Sequence, residues 1–426
     1  MILEFKIKNF RSIKEEQAFT MLPATSVKEY PNQLLKVGRM NALSTAIVYG
    51  RNSSGKSNFL RAFRAIQYMV MDSANLKVKE SIRPYEPFLL DKGTLKKPVE
   101  LKLDFVAKDK IRYVYEIGYT RKRIEYERLT HYPKGQPAML FSRTPGKAIK
   151  YGDLSGRKKD IENLLYDNQL YLSKVGSERI PQLAEVYLFF SEHMFVSIVH
   201  DTSYDNILIQ FFTDKMAEDN IPHFKENINK LIRVADTGIK ALEIKETDFK
   251  KEKLPEDMEE DKKKEIIKKY KYQIRTIHPF FEKGKEKGET LFRLQEESTG
   301  TIKLLAVGGL ILEALAAGQV LVIDELDKSL HPKLTKTLIE VFQNPKTNPK
   351  GAQLIFATHD VALLDNELFR RDAIWFVEKE YEGESHLYSV SDISGVRRDV
   401  PFDKWYLNGR FGATPVINQH ELDFKF

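Results

Sequence analysis

Residues Gly50-Arg51-Asn52-Ser53-Ser54-Gly55-Lys56-Ser57 follow the apolar run Ala46-Ile47-Val48-Tyr49 and precede the helix-like Asn58-Phe59-Leu60-Arg61-Ala62-Phe63. The stretch reads G-x-x-x-x-G-K-S between a strand and a helix, the setting in which that pattern carries meaning. A glycine-rich turn that opens a helix aims several backbone N–H groups and the positive helix end at one point. Such a point attracts a polyphosphate. Lys56 supplies a charge for the β and γ phosphates and Ser57 a hydroxyl for Mg²⁺, so Gly50 to Asn58 are the candidate nucleotide-binding residues.

Outward from this loop, Met1 to Phe10 alternates apolar and charged residues like a strand, and a second extended piece lies near Gln17 to Met21. The phosphate loop is therefore not on the first strand of the sheet. Helical spacing runs from Lys56 to about Met71. Beyond it, Val99 to Val106, Ile111 to Tyr119 and Arg123 to His131 alternate like an antiparallel β layer. From about 150 to 285 the chain reads as mainly helical, with a dense charge run at Lys251 to Lys271. That run mixes acids with lysines, so a solvated helix or mobile insertion accounts for it better than a nucleic-acid grip. After Gly288, helices at Thr301 to Ala317 and Lys333 to Phe342 alternate with apolar strands at Val320 to Asp324, Gln353 to Thr358 and Ala373 to Glu378, and a further strand comes at His386 to Val390. This texture predicts an α/β fold with a mostly parallel sheet, split by the middle segment. The expected organisation is 1–149 and 287–426 as two halves of a nucleotide-binding P-loop domain, the first carrying the β layer, and 150–286 as a helical insertion.

Leu321-Val322-Ile323-Asp324-Glu325 is an apolar strand ending in two carboxylates. A phosphate loop needs an acid at the end of the strand beside it to hold Mg²⁺, and Asp324 meets that need. Glu325 is placed to orient an attacking water. A second buried strand, Gln353 to Thr358, delivers His359, whose imidazole can donate to a γ-phosphate or its water. Lys56, Glu325 and His359 are thus the candidate catalytic residues, with Ser57 and Asp324 as metal ligands.

The chain has 426 residues, no cysteine, 42% hydrophobic residues and a net charge of +7 spread over both signs. Disulfides and thiolate metal sites are excluded, and the basic balance permits an anionic partner without demanding one. The most apolar run, Leu304 to Ala317, is too short to span a bilayer and carries Glu313, so a cytoplasmic protein with no membrane partner is the expectation.

Gly50 to Ser57, Glu297-Ser298-Thr299-Gly300-Thr301, Leu321 to Glu325, Asp327 to Pro332 and Thr358-His359-Asp360 resemble, in that order, the Walker A, signature, Walker B, D-loop and switch-histidine elements of ABC-type ATPases. Phe10-Arg11-Ser12 and the large insertion resemble the SMC/RecF/OLD branch. Tyr406 to Ala413 looks like the tail of stand-alone bacterial ATPases of that branch, many of them in phage-defence pairs of the abortive-infection or PARIS kind. The resemblance implies that Ser298 and Gly300 cap the γ-phosphate of a nucleotide held by a second copy, that Arg11 contacts nucleotide, and that ATP and Mg²⁺ are the cofactors. The signature reads Ser-Thr-Gly-Thr without the usual second glycine, and Ser298 or Thr299 is equally suited to an ordinary helix cap. No Q-loop glutamine stands out, since Gln67 lies inside the first helix.

The expected function is an ATPase that switches an oligomer and controls a separate TOPRIM-type nuclease or toxin, triggered by DNA or a phage protein. Two alternatives stand beside it: a RecF-like repair ATPase clamping duplex DNA, and an ATP-binding scaffold with negligible turnover.

Overall fold

The computed structural model describes every residue except 39, 155–157, 177–179, 199–201, 219–222, 236–237, 250–257 and 415–426. The first part of the charge run expected at 251–271 lies outside the described residues. The chain divides into two compact units: Met1–Ile198 with Ala317–Leu326 and Ile339–Phe426, and Val199–Ala316 with Asp327–Leu338.

The first unit holds two large sheets. One has the order Met194–Ser197, Val320–Ile323, Gln353–Ala357, Thr45–Tyr49, Ile374–Lys379, Ser385–Ser389, parallel throughout except for the antiparallel last pair. Its inner strands are apolar on both faces, as a sheet covered on both sides requires: Thr45–Tyr49, Val320–Ile323 and Gln353–Ala357 are buried from end to end. The other sheet is antiparallel, with the order Lys150–Tyr151, Ala138–Arg143, Ile124–His131, Arg112–Tyr119, Val99–Val106, Ile2–Lys8, Gln17–Thr20. An additional hairpin, Leu34–Val37 with Met40–Leu43, precedes the phosphate-loop strand. Four strands thus come before that strand, where the alternation pattern shows two.

Helix Lys56–Asp72 joins the sheets. Phe59 and Phe63 are fully buried and meet Phe5 and Phe19 of the antiparallel sheet at ring separations of 4.4 to 6.3 Å. Each such ring contributes about 1.5–3 kcal/mol by its burial. The helix also packs against the parallel strands Met194–Ser197, Val320–Ile323 and Gln353–Ala357. Gln67, on its buried side, donates to the carbonyls of Phe190 (2.8 Å) and Met194 (2.6 Å). It is a structural strut, in keeping with its poor fit to a Q-loop. Gln353 ties the sheets a second time: its side chain accepts from the Ile2 amide (2.6 Å) and donates to the carbonyls of Ile2 and Leu43.

The second unit carries helices Thr202–Ala217, Phe224–Val234 and Glu260–Lys269 beside a three-stranded antiparallel sheet, Ala241–Glu246, Tyr272–Glu282, Lys285–Arg293. The charge density of these strands masks their alternation, so a segment read as mainly helical contains a sheet as well. Helix Thr299–Ala317 is long and apolar enough, by length and composition, to cross a membrane. It begins before the run at 304–317, so the length argument against a span does not hold. Its apolar side chains are instead spent inside the protein, with 67% of its most apolar window buried. Gly308 and Gly309 lie directly against Leu231 and Phe212, leaving no room for a Cβ at either position.

Candidate nucleotide-binding site

All strands of the parallel core end on one side, and in such sheets ligands bind outside the carboxyl ends. Gly50 follows Tyr49, Asp324 and Glu325 follow Ile323, and Thr358-His359 follow Ala357. The register pairs Ile323 with Phe356 and Ala357 with Val48, which sets the three strand ends nearly level. The order corrects one expectation: the histidine strand lies between the phosphate-loop strand and the acid strand. Asp324 is thus two strands from the loop, a lateral offset of about 10 Å.

The loop is held by tertiary contacts on every side. A Cβ on Gly50 would lie 2.4 Å from the Val377 carbonyl, and one on Gly55, at φ +116°, 2.4 Å from the Ser385 hydroxyl. Ser385, fully buried, donates from its hydroxyl to the Ser54 carbonyl at 2.6 Å and from its amide to the Ser12 carbonyl at 2.7 Å. The Arg51 amide donates to the Ala413 carbonyl at 2.9 Å, and its guanidinium to the Lys379 carbonyl at 2.8 Å. The Lys56 ammonium reaches the carbonyls of Gly50 (2.6 Å) and Arg51 (3.2 Å), inside the loop. Ser57 is exposed at the helix start, while Asn52 and Ser53 form the outer turn, with Ser53 at φ +64°.

Asp324 is nearly buried, whereas Glu325 is partly exposed and adopts φ +46°. A left-handed backbone on a non-glycine residue costs about 1–3 kcal/mol and is held only by its surroundings, a form of strain that clusters at functional sites. The Asp324 amide donates to the Ser197 carbonyl at 3.0 Å, fixing the turn. His359 is exposed just beyond its buried strand, and the next carbonyl, of Asp360, accepts from the Tyr49 hydroxyl at 3.3 Å. Asp324 and Ser57 offer hard oxygen donors that fit Mg²⁺, which takes one or two protein oxygens together with phosphate. Among the described residues no group of three or more metal-binding side chains forms a cage.

Arg11 also adopts a left-handed backbone, at φ +53°. Its guanidinium forms a bidentate pair with Glu86 at 2.6 and 2.7 Å and reaches Asn58 at 3.3 Å. Asn58 in turn donates to the Ser12 hydroxyl at 2.9 Å. Arg11 therefore stands one residue from Ser57 through a chain of side-chain hydrogen bonds. It lines a cavity of about 230 Å³ with Arg61, Arg64, Tyr68, Arg83 and Glu86. The spacing 61, 64, 68 marks one helix face, a signal present in the sequence that the motif reading passed over.

In the second unit, Ser298 caps helix Thr299–Ala317: its hydroxyl accepts from the Thr301 amide at 3.1 Å. Gly300 lies against the D-loop, where a Cβ would meet the Ser329 carbonyl at 2.9 Å, and Ser329 itself has φ +65°. The cap and the close glycine coexist in one helix start.

A family model described as "AAA domain, putative AbiEii toxin, Type IV TA system" matches residues 46–365, a span that runs from the phosphate-loop strand past His359. The chain belongs to this AAA-domain family. The match includes the loop, both acids, His359 and the stretch Glu297 to Thr301, and the loop, acids and histidine follow strands of one parallel sheet. Solved structures similar to this AAA-domain protein include the SMC head domain from Thermotoga maritima (17% identity, 91% of this chain and 98% of that one, TM-score 0.39). An SMC head bound to the C-terminal winged-helix domain of ScpA is similar at 14% identity over 91% and 97% of the chains, with a TM-score of 0.45. A RecF–ATP complex of the RecFOR pathway is similar at 15% identity over 91% and 97%, with a TM-score of 0.36. No curated protein matches the chain.

Proposed function

We propose that this protein binds and hydrolyses Mg-ATP and uses the ATP state to switch its association with further copies of itself. The observation that carries the reading is the arrival of the phosphate loop, Asp324-Glu325 and His359 at one carboxyl edge of a single parallel sheet. In this reading Lys56 and the loop amides neutralise phosphate charge, Ser57 and Asp324 hold Mg²⁺, and the ion supplies further neutralisation of the β and γ phosphates. Glu325 orients the attacking water and takes its proton, and His359 donates to the γ-phosphate. Ser298 and Gly300 of a second copy complete the site, because an exposed capped helix start is an anion-binding element.

The output of the switch is control of a separate nuclease or toxin in anti-phage defence. The family's description, a putative toxin of a Type IV toxin–antitoxin system, supports a place in such a system, and the separate effector follows from the resemblance of the sequence motifs. Phosphate release by wild type, Lys56→Ala and Glu325→Gln tests the chemistry, and mass photometry in ATP and ADP tests the switch. Turnover by wild type that both variants abolish, with a larger species in ATP alone, is expected. A monomer in every state removes the site shared between two copies.

The DNA-clamping reading draws on a different observation, the arginines at 11, 61, 64 and 83 around one cavity. Duplex affinity that requires ATP and falls steeply with salt favours it.

A further inference from the structure

We propose that Glu297 is the positioning residue of the signature, latching it to the strand Tyr272–Glu282. The inference rests on the reading that Ser298 and Gly300 serve a nucleotide held by another copy. The Glu297 side chain is almost fully buried although its neighbours Glu296 and Ser298 are exposed. Its carboxylate accepts hydrogen bonds from the Thr276 hydroxyl and from His278 Nε2, the latter at 2.7 Å. Thr276 is fully buried, and the His278 ring rests on Phe292 of the next strand at 4.5 Å between centroids. Both donors are therefore held on a paired hairpin, in which Thr276 faces Phe292 and His278 faces Thr290.

The latch sits directly ahead of the groups that would meet the nucleotide. Glu297 is one residue before Ser298 and three before Gly300, so the carboxylate fixes where the helix begins. From the other side the D-loop carbonyl of Ser329 closes on Gly300 with no space for a side chain. The helix start is gripped between a carboxylate latch and a backbone stop. A carboxylate buried without its donors is strongly disfavoured, so losing the latch moves the chain at Glu297 and tilts the groups after it. The strand bearing the latch runs on to Phe280 and Phe281, both more than half exposed, so its far end is open to solvent.

The test mixes protomers. Glu297→Ala alone is expected to lower kcat about ten- to a hundredfold, the scale of an ångström-level misplacement, with the affinity for ATP unchanged. Glu297→Gln and His278→Gln, which keep an acceptor and a donor at those positions, are expected to recover much of the loss that Glu297→Ala and His278→Ala show. In an equimolar mixture of Glu297→Ala with Lys56→Ala about half of the dimers are mixed, and each of these pairs an intact phosphate loop with an intact signature in one of its two sites, so about a quarter of the wild-type activity is expected to return. Ser298→Arg mixed with Lys56→Ala is the reference. Return with Ser298→Arg but not with Glu297→Ala overturns the latch alone, and return with neither overturns the two-copy site and the latch together. A Glu297→Ala enzyme with wild-type kcat also overturns it. Circular dichroism melting of each variant identifies any that fails to fold, and for such a variant the Gln pair carries the comparison.

Discussion

Replacing Gly50 with alanine places a methyl group 2.4 Å from the Val377 carbonyl and 2.5 Å from the Ser54 hydroxyl. Ser54 can rotate, but Val377 is main chain in a strand paired on both sides, with Leu387 opposite it. An ordinary carbon–oxygen contact lies near 3.4 Å, so strand or loop must yield by about 1 Å. Overpacking of that kind costs about 1–3 kcal/mol. The backbone at φ +157°, at the margin of what a side chain tolerates, adds about 1–3 kcal/mol, for a total of about 2–6 kcal/mol. Gly146 provides the control, since it has φ +68° with nothing within 4 Å of a Cβ, and Gly146→Ala isolates a backbone cost of about 1–2 kcal/mol. Both tryptophans, Trp375 and Trp405, belong to the unit that holds these glycines, so urea unfolding followed by their fluorescence reports on it. Gly50→Ala is expected to be less stable than Gly146→Ala and to bind ATP at least tenfold more weakly, because the carbonyl of residue 50 also holds Lys56. Equal stability of the two variants would show that the approach of Val377 to the loop is not rigid, and would refute the reasoning.

Three further predictions concern catalysis and stability. Glu325→Gln is expected to lower kcat by about 10²–10⁴ and leave ATP affinity within threefold, measured by phosphate release and by equilibrium titration with a fluorescent ATP analogue; a variant that turns over normally removes Glu325 as the base. Gln67→Leu leaves the buried carbonyls of Phe190 and Met194 without their donor and is expected to cost about 2–4 kcal/mol in urea unfolding; a cost below 1 kcal/mol contradicts the strut. Burial, reinforced by the charge of Lys108, holds the His193 imidazole below its ordinary value, so the folded state takes up its proton less readily than the unfolded chain. The stability this gives is complete above about pH 6.5 and is lost as the pH falls through the depressed value, at no more than about 1.4 kcal/mol per pH unit. His193→Gln is expected to flatten stability between pH 7 and 5, and an unchanged slope would remove the histidine from that balance.

Much of the site was legible in the sequence because its signals are local. A strand, a glycine-rich turn and a helix lie within 30 residues around Gly50 to Ser57, and the boundaries read from spacing agree with Thr45–Tyr49 and Lys56–Asp72 to within a few residues. Apolar runs announced the buried strands Val320–Ile323 and Gln353–Ala357 because a strand covered on both faces has no polar alternation to blur. The hairpin Tyr272–Arg293 escaped because its side chains are mostly charged and exposed, so its period carries little hydrophobic contrast.

The sequence by itself determined which residues are the candidates for phosphate, metal and water chemistry, since motif spacing and the change from a two-residue to a helical period are properties of neighbouring residues. Only the tertiary structure decided that the histidine strand separates the loop from the acids, that Ala413 and Ser385 brace the loop, and that Glu297 latches the signature to Thr276 and His278. The first two are contacts across hundreds of residues and the third depends on a strand hidden by its charges. Strand order and close approach arise from how the whole chain buries its apolar surface, and no local spacing encodes them.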